Sequence, residues 1–105
     1  MTDLSLYDNN IKRIEGLEKL SQLKVLSFGK NKVTDLETSL SYLKDIKNNL
    51  QVLNMADNPY VLMGNQTDQG YKYQAVYRLK KLKYLDYVLI DDALRETAEE
   101  NCKDQ

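Results

Sequence analysis

The sequence predicts an α/β solenoid in which short parallel strands line one face and helices or turns line the other. Asn9, Asn31 and Asn58 each end a frame of the form L-x-x-L-x-L-x-x-N, in which an alternating apolar pair precedes the asparagine. The asparagines are 22 and 27 residues apart, so one unit is repeated and then lengthened by five. Because strand side chains alternate between faces, each pair should point inward. These pairs are Leu4 and Leu6, Leu26 and Phe28, and Leu53 and Met55.

This frame is typical of a leucine-rich repeat, whose units bury their apolar faces only by stacking on one another. An asparagine suits the corner after each strand, because its amide both donates and accepts hydrogen bonds to turn backbone. An ordinary amphipathic helix is the alternative reading of the leucines, but it does not explain three copies of the frame. The residues predicted to lead the chain back across the core are Ile11, Ile14, Val33 and Leu36.

We expect residues 1–105 to form a single domain. Its repeats should cover about 1–22, 23–49 and 50–70, followed by a cap at 71–90 and an acidic helix at 91–105. In the lengthened second unit, Leu36, Leu40 and Leu43 have helical spacing, which predicts a short convex helix that ends at Asn48-Asn49. Only three residues precede Leu4, so we also expect the chain to be part of a longer array. A naturally short protein whose end is capped by a partner or a dimer is the alternative.

The closing segment follows a polar loop at residues 64–70. Residues 71–79 have the spacing of a helix, and residues 80–87 return to strand spacing with Leu82, Leu85 and Tyr87 inward. The tail should be helical, with a narrow apolar edge packed against the end of the solenoid; a frayed polar terminus beyond about Glu99 is the alternative. The apolar stripe predicted for the helix at residues 71–79 is Tyr73, Val76, Tyr77 and Leu79. The apolar edge predicted for the tail is Ile90, Leu94, Ala98 and Cys102.

Composition indicates a cytoplasmic protein that neither crosses a membrane nor binds nucleic acid through bulk charge. The net charge is -1 and the pI is about 5.4. The N-terminus lacks the basic and apolar regions of a signal peptide, and no apolar run is long enough to span a bilayer. Cys102 is the single cysteine, which is consistent with a reducing compartment.

Catalysis is not expected, because the chemistry of common active sites is missing. The chain has no histidine and no glycine-rich phosphate loop. Cys102 lies in an acidic tail, where carboxylates should raise its pKa. Asp91 and Asp92 are interpreted as the acidic start of a helix rather than as ligands of a cation. We therefore predict no cofactor, no metal and no small-molecule substrate.

The closing segment, from Tyr73 through Arg78 to Asp86, resembles the C-terminal cap of the 22-residue class of leucine-rich-repeat proteins. That class includes a phosphatase regulator, a spliceosomal A-prime protein and an outer-arm dynein light chain. Within it, Leu85-Asp86-Tyr87, the Ile90-Asp91-Asp92 run and the lengthened linker look most like the leucine-rich-repeat subunit, subunit 3, of the nexin-dynein regulatory complex. The resemblance implies a scaffold of the ciliary or flagellar axoneme, with a spliceosomal or phosphatase-regulatory adaptor as the alternative.

A protein partner is expected to bind the concave face, where outward strand positions form a trough. Small residues occupy its middle and large tyrosines its ends, which suits a helix or an extended segment of another protein. Simple solvation of these positions is the alternative. The predicted contact residues are Ser5, Tyr7, Ser27, Gly29, Asn54, Ala56, Tyr84, Asp86 and Val88, and Val25 and Val52 point the same way.

A basic and tyrosine-rich stretch from Tyr71 to Tyr84 keeps a second class of partner open. Such interleaving of cations and aromatic rings is found at sites that bind RNA. Lysine-rich helix faces are, however, usually solvated, and two of the tyrosines are needed for the predicted core. The stretch is therefore interpreted as a patch that steers a protein partner, formed by Arg78, Lys80, Lys81 and Lys83.

Overall fold

A computed structural model describes residues 2–45, 49–60 and 70–102. Its five strands are β1 (Asp3–Ser5), β2 (Val25–Ser27), β3 (Val52–Asn54), β4 (Tyr84–Leu85) and β5 (Val88–Leu89). Its three helices are α1 (Leu36–Asp45), α2 (Gly70–Arg78) and α3 (Asp92–Cys102). The strand order in the sheet follows the chain, as a solenoid requires, and the α/β class predicted from the sequence is confirmed.

The first four strands are parallel and in register. Leu4 lies opposite Leu26, Leu26 opposite Leu53, and Leu53 opposite Leu85, so one column of leucines runs through the core. Leu26, Phe28, Leu53 and Met55 are completely buried, as their alternation predicts. Leu4 and Leu6 are half-buried, because β1 is the edge of the described sheet and has a neighbour on one side only.

The linker helix predicted in the second unit is α1, and its inner face is Leu36, Ser39, Leu40 and Leu43. Asp35 caps it, since its carboxylate accepts the Thr38 N–H at 3.0 Å. In the same helix, Tyr42 is half-buried, and its hydroxyl accepts the Leu17 N–H at 2.7 Å and donates to Glu18 at 2.8 Å. Tyr42 thus ties the second unit to the turn of the first.

The cap consists of α2 and α3 packed together. Ala75 and Val76 are buried in α2, whereas Tyr73 and Tyr77 are only half-buried, so the predicted stripe is displaced around the helix. The predicted edge of the tail is observed: Ile90, which precedes α3, is buried, as are Ala98 and Cys102 in the helix, and Leu94 is half-buried. Arg95 joins the two helices by donating to the carbonyl of Val76 at 3.2 Å and to the carbonyl of Leu82.

The array closes with a hairpin rather than with the single strand that the spacing predicts. Strand spacing predicts that Tyr87 points inward, but this residue is 83% exposed. Asp86 and Tyr87 have φ angles of 50° and 70°, and β5 runs antiparallel to β4. Two successive residues with positive φ form the tight turn that matches the twist of a two-residue hairpin. Tyr87 is therefore a turn residue, and the alternation on which its placement rested ends at Leu85.

Two predictions fall largely on residues outside the described ranges. The polar loop at 64–70 is one; only its last residue, Gly70, is described, and it begins α2. The second is the prediction that the linker helix of the second unit ends at Asn48-Asn49. The described part of this helix, α1, extends to Asp45, and Asn49 is exposed and not helical.

Candidate functional site: the concave face and its asparagine corners

The corner asparagines form a ladder that joins neighbouring repeats. The Asn31 side chain is buried and donates to the carbonyls of Phe28 and Gly29 in its own turn, at 2.8 and 3.0 Å. It also reaches the preceding repeat, donating to the Leu6 carbonyl at 2.9 Å and accepting the Ile11 N–H at 3.0 Å. A buried amide with this many partners fixes the relative position of two units.

Asn58 repeats the arrangement one unit later. It donates to the Phe28 carbonyl of the preceding repeat at 3.1 Å and accepts the Val33 N–H at 3.1 Å. Asn9 is exposed and donates only within its own turn, to the carbonyls of Leu6 and Tyr7. The first asparagine of the described ladder therefore contributes less to packing than the other two.

Each corner also contains a residue in the left-handed backbone region. Asp8, Lys30 and Asp57, which immediately precede the three asparagines, have φ angles of 59°, 53° and 59°. This conformation is uncommon without glycine, although aspartate adopts it more readily than most residues. The same backbone conformation therefore recurs at all three corners.

Strand register arranges the concave side chains in rows. The first begins at the exposed, charged Asp3 of β1, and we call its four apolar residues the apolar row: Val25, Val52, Tyr84 and Leu89. Val25 and Val52 are half-buried, whereas Tyr84 and Leu89 are 43% and 56% exposed. The second, which we call the polar row, consists of Ser5, Ser27 and Asn54. From β2 onward the first row is therefore apolar, whereas the second row is polar.

Two predicted contact residues lie beneath large side chains and are not open to a partner. Gly29 is buried, and a Cβ atom at that position would lie 3.2 Å from the Tyr7 ring and 3.2 Å from Asn54 Oδ1. Asn54 is also buried, and its amide donates to the Tyr87 hydroxyl at 2.9 Å. The small middle of the predicted trough is thus partly filled by Tyr7 from one end and by Tyr87 from the other.

Val88 is the predicted contact residue whose face requires correction. In the antiparallel pair, Tyr84 lies opposite Leu89 and Leu85 lies opposite Val88. Residues directly opposite each other in a ladder share a face. Leu89 therefore joins Tyr84 on the concave side, and Val88 shares the face of the core residue Leu85. Leu89 was not among the predicted contact residues, because the strand alternation that predicted them does not continue through the turn.

Asp86 belongs to the cap rather than to the open concave surface. Its Oδ1 accepts the Met55 N–H at 2.8 Å, and its Oδ2 accepts the Tyr71 hydroxyl. Tyr71 packs against Tyr60 with ring centroids 5.1 Å apart, and the Tyr60 hydroxyl donates to the Met55 carbonyl at 2.5 Å. Burial raises the pKa of both phenols well above their usual range, and the Asp86 carboxylate raises that of Tyr71 further.

The predicted steering residues have different environments. Arg78 forms a two-point ion pair with Glu37 of α1, with both N–O distances at 2.7 Å. The Lys80 ammonium lies 4.2 Å from the centroid of the Tyr77 ring. Lys81 and Lys83 are exposed. Arg78 therefore stabilises the contact between helices, while the three lysines remain available to solvent. Their predicted steering role stays a prediction.

The residues considered for chemistry have structural roles. Asp91 caps α3 by accepting the Leu94 N–H at 2.8 Å, and Asp92 is the first residue of the helix. Burial raises the pKa of the Cys102 thiol, while the nearby Arg78 and Lys80 oppose that shift. The direction was expected, but the expected cause was wrong, because the neighbouring charges are basic. Within the described ranges there is no cluster of three or more potential metal ligands.

Together, the parallel strands, the asparagine ladder and the helical cap define the leucine-rich-repeat fold. Residues 1–42 match the family model described as Leucine Rich repeats (2 copies). The human leucine-rich melanocyte differentiation-associated protein is 30% identical over an alignment that covers 93% of this chain and 53% of that protein. None of the described helices is long and apolar enough to cross a membrane.

A solved structure shows the same architecture. A chain in the crystal structure of the Drosophila melanogaster SNF/U2A' complex matches with a TM-score of 0.74 and 25% sequence identity. The match covers 95% of this chain and 55% of that chain. The present chain therefore spans about half the length of the relatives that it matches.

Proposed function

We propose that this chain is a non-catalytic protein-binding module whose contact surface is the concave face. The single observation that carries the proposal is where its exposed apolar side chains lie. The large apolar residues exposed in the described ranges are Tyr7, Tyr84, Tyr87, Val88 and Leu89, and all except Val88 are on or above the concave face. Grouped exposed apolar residues mark interaction sites, and tyrosine is enriched among the residues that dominate binding energy.

The apolar row has the spacing required by a helix that crosses the strands. Neighbouring strands lie about 4.8 Å apart, so the row presents apolar side chains roughly every 5 Å. In a helix, residues i, i+3 and i+7 are separated along the axis by about 4.5 and 10.5 Å. A partner helix can therefore place successive apolar residues near Val25, Val52 and Tyr84. Its polar edge would then face Ser5 and Ser27, the members of the polar row that are not buried.

The matched pair Leu89→Ala and Val88→Ala tests the assigned face. Both residues belong to β5 and are similarly exposed, but only Leu89 shares the face of Tyr84. The wild-type protein and the two variants would be immobilised and their captured proteins compared by quantitative mass spectrometry. Leu89→Ala should lose a partner that Val88→Ala retains. Equal retention by both variants would show that the partner does not contact the concave side of the hairpin.

The finer proposal is that the partner is axonemal. It is supported by the resemblance of the closing segment and the lengthened second linker to the nexin-dynein regulatory subunit. On this proposal the protein acts as a scaffold in the axoneme of a cilium or flagellum. Capture from purified axonemes tests the assignment. The proposal would be supported if the wild-type protein captures proteins of the regulatory complex and the Leu89→Ala variant does not. It would be contradicted if the wild-type protein captures no axonemal protein.

A spliceosomal adaptor is the second candidate, and the structural match favours it. The matched chain comes from a complex of two named components, SNF and U2A'. Purified Drosophila SNF is therefore a suitable probe. Binding that is weakened by Leu89→Ala and unchanged by Val88→Ala would favour the adaptor over the axonemal scaffold. Absence of binding at concentrations of about 100 μM would remove the support for this candidate.

A further inference from the structure

A cleft of about 620 Å³ opens on the side of the sheet where the strands begin, away from the asparagine corners. It lies between the end of α1 and the segment that joins α2 to β4. Four leucines line its interior, and each is more than nine-tenths buried. These leucines are Leu43, Leu50, Leu79 and Leu82.

The rim of this cleft is basic. Lys44, Lys80 and Lys81 line it and are all exposed, whereas Asp45 is the one acid among its described lining residues. Arg78 also lines the cleft, but its charge is already paired with Glu37. Three lysines therefore give the cleft a local positive excess in a chain whose net charge is -1. The local charge is opposite to that of the whole protein.

We propose that this cleft binds a short acidic segment of another protein. Carboxylates of the segment would pair with Lys44, Lys80 and Lys81, and an apolar side chain between them would rest against the leucines. The surface is distinct from the concave face, because its lining residues precede the strands or belong to the helices. One partner can therefore occupy both surfaces, or two partners can bind independently.

The lining favours a peptide over a single-stranded nucleic acid. Sites for unpaired bases combine cations with exposed aromatic rings on which the bases stack. Here the interior is made of leucine, and the neighbouring Tyr77 ring is already covered by the Lys80 ammonium. Tyr84, the nearest exposed ring along the chain, lies on the concave side in the apolar row. Cations around an aliphatic floor match an acidic peptide with an apolar anchor.

Fluorescence anisotropy with a defined probe tests the proposal. The probe is a labelled ten-residue peptide with two leucines, each flanked by glutamates, and its control has glutamine in place of every glutamate. The intact protein should bind the glutamate peptide about tenfold or more tightly than the glutamine peptide. The preference should decrease as salt is raised, because exposed charge pairs are screened. Similar affinity for the two peptides would overturn the proposal.

A matched pair of variants locates the binding. The first variant is Lys80→Glu/Lys81→Glu, and the second is Lys12→Glu/Lys32→Glu. Both change the net charge equally, but Lys12 and Lys32 are exposed residues of the repeat turns and do not line the cleft. The first variant should weaken binding of the glutamate peptide about tenfold or more, and the second less than about twofold. Equal weakening by both would overturn the proposal in favour of nonspecific attraction.

A second pair tests the cleft without removing a lysine. Ser21→Glu places an acid in the lining, whereas Thr34→Glu places one at an exposed position outside it. Ser21→Glu should weaken binding of the glutamate peptide, whereas Thr34→Glu should leave it unchanged. A labelled single-stranded RNA that binds more tightly than the peptide, and is lost with Lys80→Glu/Lys81→Glu, would instead assign the surface to nucleic acid.

Discussion

Asp86 accepts the backbone N–H of Met55 at 2.8 Å, at the position where the earlier strands use a main-chain carbonyl. The Leu6 N–H is accepted by the Ser27 carbonyl at 2.7 Å, and the Phe28 N–H by the Asn54 carbonyl at 2.8 Å. At β4 the chain turns away after Leu85, and a carboxylate replaces the missing carbonyl. The hydrogen-bond ladder of the solenoid thus ends on a side chain.

Replacing Asp86 tests this ending. Asp86→Ala should lower the free energy of unfolding by about 1 to 3 kcal/mol, because the Met55 N–H and the Tyr71 hydroxyl both lose their acceptor. Asp86→Asn retains an acceptor oxygen and should cost less. Urea denaturation measures both values. If the two variants have the same midpoint as the wild-type protein, the carboxylate does not complete the ladder.

The asparagine ladder predicts that the same substitution, asparagine to alanine, lowers the free energy of unfolding more at Asn31 than at Asn9. Asn31→Ala should lower the free energy of unfolding by about 1 to 3 kcal/mol, since a buried amide with partners in two repeats is lost. Asn9→Ala removes an exposed amide that bonds only within its own turn, and the effect should be smaller. Denaturant midpoints of the two variants decide the matter. Equal midpoints would contradict the role assigned to the contacts between repeats.

In an alkaline titration, the buried phenols of Tyr60 and Tyr71 should ionise only when the protein unfolds. Their pKa values are raised in the fold, so the unfolded chain ionises them first, near the ordinary phenol pKa of about 10. Their contribution to stability is fully present below that pH and is lost as the pH rises above it. Absorbance at 295 nm and circular dichroism would be followed together.

The last part of the absorbance change should coincide with the loss of helical signal. Tyr60→Phe should reduce that part of the absorbance change while leaving the earlier part intact. Complete ionisation of all tyrosines before any change in circular dichroism would show that Tyr60 and Tyr71 are accessible in the fold.

Cys102 should react slowly with alkylating reagents. The thiol is 3% exposed and burial raises its pKa, so the reactive thiolate is scarce near neutral pH. Iodoacetamide labelling of the native protein at pH 8 should be at least about tenfold slower than labelling in urea. Equal rates in the two conditions would mean that the end of α3 is not packed as the structure shows.

The repeat units were predictable from the sequence because each uses the same local chemistry. Leu26 and Phe28 alternate, and Asn31 follows at a fixed distance, so the strand, the corner and the inward face are all specified together. The turn at Asp86 and Tyr87 was not predictable in this way. Neither residue is glycine, and Tyr84, Asp86 and Val88 continue the spacing of a strand. The tolerance of aspartate for positive φ was the one available signal.

The concave face was predictable in outline but not in detail. Outward positions follow from alternation, which correctly places Ser5, Ser27 and Tyr84. The burial of Gly29 and Asn54 depends on the Tyr7 and Tyr87 side chains, which reach them from other strands and from the hairpin turn. Contacts between residues distant in the chain have no local sequence pattern. The role of this face in binding remains a prediction.

The central claim, that the concave face holds a protein partner, is tested most directly by quantitative capture with charge placed in the trough. The trough variant carries Ser27→Glu and Ala56→Arg, and the lysine variant carries Lys80→Glu, Lys81→Glu and Lys83→Glu. The two variants would be compared at several salt concentrations, and circular dichroism would confirm that both are folded. We predict at least one partner that the trough variant loses and the lysine variant retains, with only its association rate and salt dependence changed. Normal retention of every partner by the trough variant, with losses confined to the lysine variant at all salt concentrations, would contradict the account.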